Sequence, residues 1–132
     1  MGLWPGRSPE LGFAQQPVRR LELSVDTSGA VTCICIEGEL DTGTAPELDQ
    51  AIQACLCEGT TSMLLDLTAT DYVSSMGLRV FLSALKAIKG SGGRMVLTGL
   101  NDEVQEIMDM AGFSPLFEII ASASEARASL TA

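Results

Sequence analysis

The 132-residue sequence contains no histidine. That absence removes Ser-His-Asp and Cys-His nucleophilic catalysis, and with them the commonest metal ligand. Cations are scarce too: eight Lys and Arg face seventeen Asp and Glu, leaving a net charge of −9. A nucleic-acid surface must neutralise phosphates with clustered cations, and no such cluster is present. The same deficit argues against an anionic membrane surface as partner. No apolar run reaches the roughly 18–20 residues that cross a bilayer, so no membrane insertion is expected. The first nineteen residues lack the uninterrupted apolar stretch of a secretory signal.

What is present describes a folded chain. Hydrophobic residues make up 46% and charged ones 19%, a balance that disorder does not produce. A single domain of this size buries about 68–70% of the surface its unfolded chain would expose, enough for one real core. Residues 20–132 carry the periodic patterns and form that domain. Residues 1–19 hold Pro5, Pro9 and Pro17 with little periodicity and read as a flexible or loosely docked extension. The only tryptophan, Trp4, lies there and suits an anchor on the domain or on a second copy, which leaves room for a homodimer. The four cysteines fall in pairs, Cys33/Cys35 and Cys55/Cys57. Neither pair has the spacing of a zinc knuckle or thioredoxin-like site, so they read as small buried residues, reduced in a cytoplasmic setting.

Along the domain, Leu21, Leu23 and Val25 alternate with polar residues as in a half-buried strand. Thr27-Ser28-Gly29 supplies a turn, and Val31 to Ile36 reads as a second strand pairing antiparallel with the first. Thr44-Ala45-Pro46-Glu47 has the form of a capping box with proline in the first turn, and opens a helix whose inward face is Leu48, Ile52, Cys55 and Leu56. Met63-Leu64-Leu65 is apolar enough for a central strand buried on both faces. A polar loop leads to Ser74-Ser75-Met76-Gly77 and a second helix to about Lys89, striped by Leu78, Phe81, Leu82, Leu85 and Ile88. Met95-Val96-Leu97 is the next strand. Asn101 caps a third helix with Val104, Ile107, Met108 and Ala111 inward, and Phe117 to Ile120 is a last strand. Ser122-Ala123-Ser124-Glu125 is a second capping box, opening a helix through Leu130. A hairpin followed by alternating helices and strands requires a mixed sheet packed with about four helices: an α/β domain.

Open α/β sheets present functional residues in the loops at the carboxyl ends of strands. Three loops qualify: Glu39–Thr44, Thr68–Ser75 and Thr98–Asn101. In the middle one, Ser74 and Ser75 immediately precede a helix whose first amides lack intrahelical partners. One serine can serve as a plain N-cap. A phosphate on such a hydroxyl would bring about 1.5 to 2 negative charges to the helix start, changing a surface without unfolding the domain.

Gly38-Glu39-Leu40-Asp41 with Thr44-Ala45, then Leu65-Asp66-Leu67 followed by Tyr72-Val73-Ser74-Ser75-Met76-Gly77-Leu78-Arg79, resembles the STAS domain family. Ala111-Gly112-Phe113 through Leu116-Phe117 and the Glu125-Ala126 helix are similar to it as well, so that the resemblance spans about residues 20–131. It implies an anti-sigma factor antagonist, with no catalytic residue, metal or cofactor of its own. In that scheme the unphosphorylated protein binds an anti-sigma factor that is also a serine kinase of the histidine-kinase-like ATPase type. Phosphorylation at the start of the second helix ends binding, and a serine phosphatase resets the switch. The family's loop reads Asp-Ser-Ser-Gly, its phosphorylated serine directly before the glycine. Met76 stands at that place here, so the resemblance implies Ser75 as acceptor, with Ser74 second. It also implies a partner-binding surface of Asp41, Thr42, Asp71, Tyr72, Ser74, Ser75, Met76, Gly77 and Arg79, with Asp66 a further family-like acid.

Other readings fit less well. A phosphoaspartate receiver centred on Asp66 needs an acid cluster and a lysine after the last strand, and none follows Phe117 to Ile120. A serine hydrolase would need Lys86 or Lys89 as base, and Lys86 points away from the loop. A non-switching interaction module, in a signalling scaffold or lipid-transport complex, is the alternative within the resemblance.

Overall fold

The computed structural model describes residues 21–27 and 29–131. The extension with Trp4, and Ser28 of the first turn, lie outside the described residues. Strand β1 (Leu21–Asp26) pairs antiparallel with β2 (Thr32–Leu40), Leu21 opposite Gly38 and Asp26 opposite Cys33. The expected hairpin is therefore present, but β2 runs four residues past Ile36. Its extra length is stabilised from both edges: β1 pairs with it as far as Gly38, and β4 (Thr70–Val73) pairs with Gly38, Glu39 and Leu40. Gly38 has φ 106°, a value L side chains rarely adopt, where the register between β2 and β4 shifts by a bulge.

β4 is the chief correction to the sequence reading, which made this stretch a polar loop. Its polar residues find partners that only the fold supplies. Thr70 Oγ1 donates to Ile36 O at 2.6 Å in a fully buried position, and Gly38 N donates to Ala69 O at 2.9 Å.

The remaining strands, β3 (Ser62–Asp66), β5 (Arg94–Thr98) and β6 (Glu118–Ile120), are parallel, giving one six-stranded mixed sheet in the order β1-β2-β3-β5-β6 with β4 extending β2. Phe117 precedes β6 rather than starting it. Helices α1 (Ala45–Cys57), α2 (Ser75–Gly90) and α3 (Asp102–Met110) cover one face, and α4 (Ala123–Thr131) covers part of the other.

The central strands feel both layers, as their apolar runs require. Met63, Leu65, Met95 and Leu97 pack toward α1–α3, while Leu64 and Val96 meet Ala126 and Leu130 of α4. Arg94 ties that second layer down: Nε and Nη2 donate to Glu118 Oε1 and Oε2 at 2.7 and 3.0 Å, and Nη1 donates to Ser129 O at 2.8 Å. Ser122 accepts from Glu125 N at 3.3 Å and caps α4 as expected.

Smaller expectations differ. Cys57 and Ala111, at the ends of α1 and α3, are exposed, and Leu56 on α1 and Cys35 on β2 are only half-buried. Among the described residues no helix is long and apolar enough to cross a membrane.

Candidate functional site

Three segments converge at the carboxyl end of β2. The first is the turn after Leu40. Asp41 Oδ1 accepts from the amides of Gly43 and Thr44, both at 2.9 Å, and Asp41 O accepts from Ala45 N at 2.8 Å. Thr44 is not the side-chain cap its sequence suggested: its hydroxyl accepts from Asp41 N at 2.9 Å and donates to Glu39 O at 2.8 Å. The capping box with Glu47 is absent because Thr44 already has helical backbone angles, φ −101° and ψ −18°, which aim its oxygen backwards. Asp41 thus acts on its own loop, while Thr42 projects as an exposed residue.

The second segment enters α2. Ser74 continues the sheet, its amide donating to Leu40 O at 2.8 Å, and then caps the helix. It is extended, with φ −86° and ψ 173°, and its Oγ accepts from Gly77 N at 3.3 Å. Ser75, the first helical residue, is exposed and its hydroxyl has no hydrogen bond among the described residues. The two adjacent serines are therefore inequivalent: one hydroxyl is used by the fold and the other faces solvent. Gly77 is buried because α2 starts hard against the sheet; a Cβ there would sit 2.8 Å from Leu40 Cδ2 and 3.0 Å from Val73 Cγ1. Asp71, Tyr72, Met76 and Arg79 are all exposed, Tyr72 at 42% and Met76 at 37%.

The third segment was not foreseen. α3 packs on β4, and the short 3₁₀ turn after it (Ser114–Leu116) packs on α3 and β6, so that the carboxyl end of α3 and Phe113 stand across from Tyr72 and the start of α2. Between them runs a groove of about 500 Å³ whose walls include Tyr72, Leu78, Ile107, Met110 and Phe113, with Ser75 and Arg79 as its polar members. Met110 is 81% exposed and the neighbouring Leu116 48%, unusually open for large apolar side chains. Asn101 joins the walls: its Oδ1 accepts from Val104 N at 2.7 Å as the cap of α3, and its Nδ2 donates to Thr70 O at 3.1 Å in β4.

The far end of α3 is braced as well. Asp109 accepts from Ser114 Oγ and from Gln105 Nε2, and these hydrogen bonds, Ser114's first, hold its carboxyl below the usual range. Phe113 stacks on Phe117 at 6.3 Å between centroids, and Phe117 meets Phe81 edge-on at 6.4 Å, linking the groove to the core. Met110 left one signal in the sequence, an apolar residue off the stripe that buries α3, and Phe113 follows just after that helix ends.

Asp66 caps a turn of its own. Its Oδ1 accepts from Thr68 N at 3.0 Å and Thr68 Oγ1 at 2.6 Å, and Cys35 Sγ lies 4.0 Å from Oδ2. That is a structural role, bonding a loop amide and a loop hydroxyl.

The family model of the STAS domain matches residues 22–126, which take in the sheet, the start of α2 and the groove beside it. The chain belongs to the STAS domain family. Relatives of this STAS chain include BtrV of Bordetella bronchiseptica, 31% identical over 108 residues, which are 82% of this chain and 93% of that one. The anti-sigma-B factor antagonist of Listeria monocytogenes is 33% identical over 86 residues, covering 65% of this chain and 75% of the relative. In structure, the STAS fold here is similar to unphosphorylated SpoIIAA of Bacillus, an anti-sigma factor antagonist, with a TM-score of 0.73 and 18% identity over 83% of this chain and 96% of that one. SpoIIAA has also been solved in its phosphorylated form, for which the TM-score is 0.65 and the identity 17%, over 82% and 98% of the two chains.

Proposed function

We propose that this protein is an anti-sigma factor antagonist acting in the cytoplasm, a docking partner whose affinity is set by phosphate on Ser75. The domain of residues 20–132 binds an anti-sigma factor that is also a serine kinase. That kinase transfers the γ-phosphoryl group of ATP to Ser75 Oγ, releasing ADP and a proton, and a serine phosphatase removes it. The names of relatives such as the Listeria antagonist support the class of partner. The observation that carries the switch is the exposed, unspent hydroxyl of Ser75 on the lip of an apolar groove.

The physical consequence follows from placement. A dianion on the first turn is compatible with the helix dipole, so the domain stays folded. Beside Tyr72, Leu78 and Met110, however, that charge would have to be desolvated for an apolar partner surface to close on the groove, which opposes docking. Asp41, Thr42, Asp71 and Met76 extend the contact area around it. Arg79, one turn after Ser75, forms no ion pair among the described residues and is left to meet either a partner carboxylate or the phosphate.

Incubation with the cognate kinase and ATP, followed by peptide mass spectrometry, should place phosphate on Ser75; phosphate on neither Ser75 nor Ser74 rejects the switch. Pull-down of the same kinase should succeed with the native chain and fail with Ser75→Asp. Met76 at the family's usual acceptor place favours a second reading, a non-switching interaction module, and that module would retain its partner in Ser75→Asp.

A further inference from the structure

The exposed apolar surface of the described residues is gathered on one side. Of their five exposed large apolar side chains, Tyr72, Met76, Met110 and Leu116 stand in the groove wall or within three residues of it, and Val25 alone lies elsewhere. Apolar side chains left together in water in this way mark a contact with another protein.

The charges on that side are sorted by helix. Every charged residue of α2 is basic, and every charged residue of α3 is acidic. Arg79 and Lys86, two turns apart and both exposed, continue the stripe that Ser75 begins on the groove side of α2. Across the groove, Glu103 and Glu106 are exposed one turn before Ile107 and Met110, two residues of the opposite wall. No ion pair joins the two helices among the described residues. One wall is therefore positive, the other negative, and the cleft between them apolar. A partner surface of one sign would match one wall and repel the other. A second copy turned by a two-fold axis matches both, because in such a contact each wall meets the opposite wall of the other molecule.

We propose that this face is an interface between two copies of the chain. Met110 of one copy enters the other's groove between Tyr72 and Leu78. That entry carries Glu106, one turn before Met110, toward Arg79, the residue after Leu78, and the two-fold axis makes the same pair a second time. The dimer covers Ser75, so a second copy and a kinase compete for one face. That consequence alone rests on the phosphorylation reading; the association itself needs neither Ser75 nor a kinase.

Sedimentation equilibrium of the full chain from about 1 μM to about 1 mM, the range in which contacts of modest area associate, should show monomer and dimer exchanging. Met110→Glu, a charge placed in the apolar cleft, should raise the dissociation constant more than about tenfold. Arg79→Glu and Glu106→Arg, each alone, set like charges against each other twice per dimer and should weaken it by about tenfold or more. Mixed in equal amounts, these two variants should associate again, since their heterodimer holds one native pair and one reversed pair. A native chain that stays monomeric over the whole range overturns the proposal and leaves the face to the kinase. So does a dimer indifferent to Met110→Glu, which would be built on another surface, and so does a failure of the mixed variants to associate. Phosphate on Ser75, present or absent, bears on none of these outcomes.

Discussion

Gly77 and Leu40 are in contact so close that a single added carbon does not fit: a Cβ on Gly77 would lie 2.8 Å from Leu40 Cδ2 and 2.9 Å from Leu40 Cγ. This contact sets how α2 leaves the sheet, and hence where Ser74 and Ser75 stand. Gly77→Ala should therefore destabilise the domain although alanine is the better helix former. Overpacking costs typically about 1–3 kcal/mol against about 1 kcal/mol of helix propensity, for a net loss near 1 kcal/mol in urea unfolding. Combining it with Leu40→Ala should cost less than the sum of the two single changes. Strict additivity would show that the contact is not the cause.

The paired serines should separate stability from modification. Ser74→Ala removes the acceptor for Gly77 N and should cost about 1 kcal/mol. Ser75→Ala touches no hydrogen bond among the described residues and should stay within about 0.5 kcal/mol of the native chain. Equilibrium unfolding of the two variants, beside kinase assays of both, reads the two roles independently.

Acid should loosen the clamp on α4. The hydrogen bonds from Arg94 hold the Glu118 carboxyl below its ordinary value of 4.5, against a smaller opposing effect of burial. A carboxyl with a depressed value in the folded state contributes stability that is present above about pH 4.5 and is lost as pH falls through its folded value. The pair is half exposed, so its contribution is at most about 1 kcal/mol. Glu118→Gln should lower stability at neutral pH and flatten this part of the acid limb. An unchanged pH profile in unfolding titrations would contradict the assignment.

Thiol reactivity should follow burial rather than sequence pairing. Burial, and after it the neighbouring Cys35, pushes the Cys33 thiol up to about 11, so at pH 8 it is protonated and inert. Burial raises Cys55 too, whereas Cys57 is exposed. Iodoacetamide should label Cys57 first and Cys33 and Cys55 last, as read by peptide mass spectrometry.

Local chemistry was enough to write much of this protein. The two-residue period of β1, the helical stripe of α2, the caps at Ser74, Asn101 and Ser122, and the doubly buried runs of β3 and β5 all depend on near neighbours in the chain. The absence of histidine and the acidic balance limit the chemistry whatever the fold. Tertiary structure decided the rest, because the partners concerned lie far apart in sequence. Thr70 becomes a strand residue through Ile36, thirty-four positions away. Thr44 gives up its cap to bond backward to Glu39, and Cys57 stays in solvent where α1 runs out of sheet to cover. The groove beside Ser75 forms where α3 packs on β4, a contact that Asn101 bridges to Thr70, thirty-one positions away. Which of two adjacent serines is spent and which is free was a matter of where one helix meets one sheet, set by the missing side chain of Gly77.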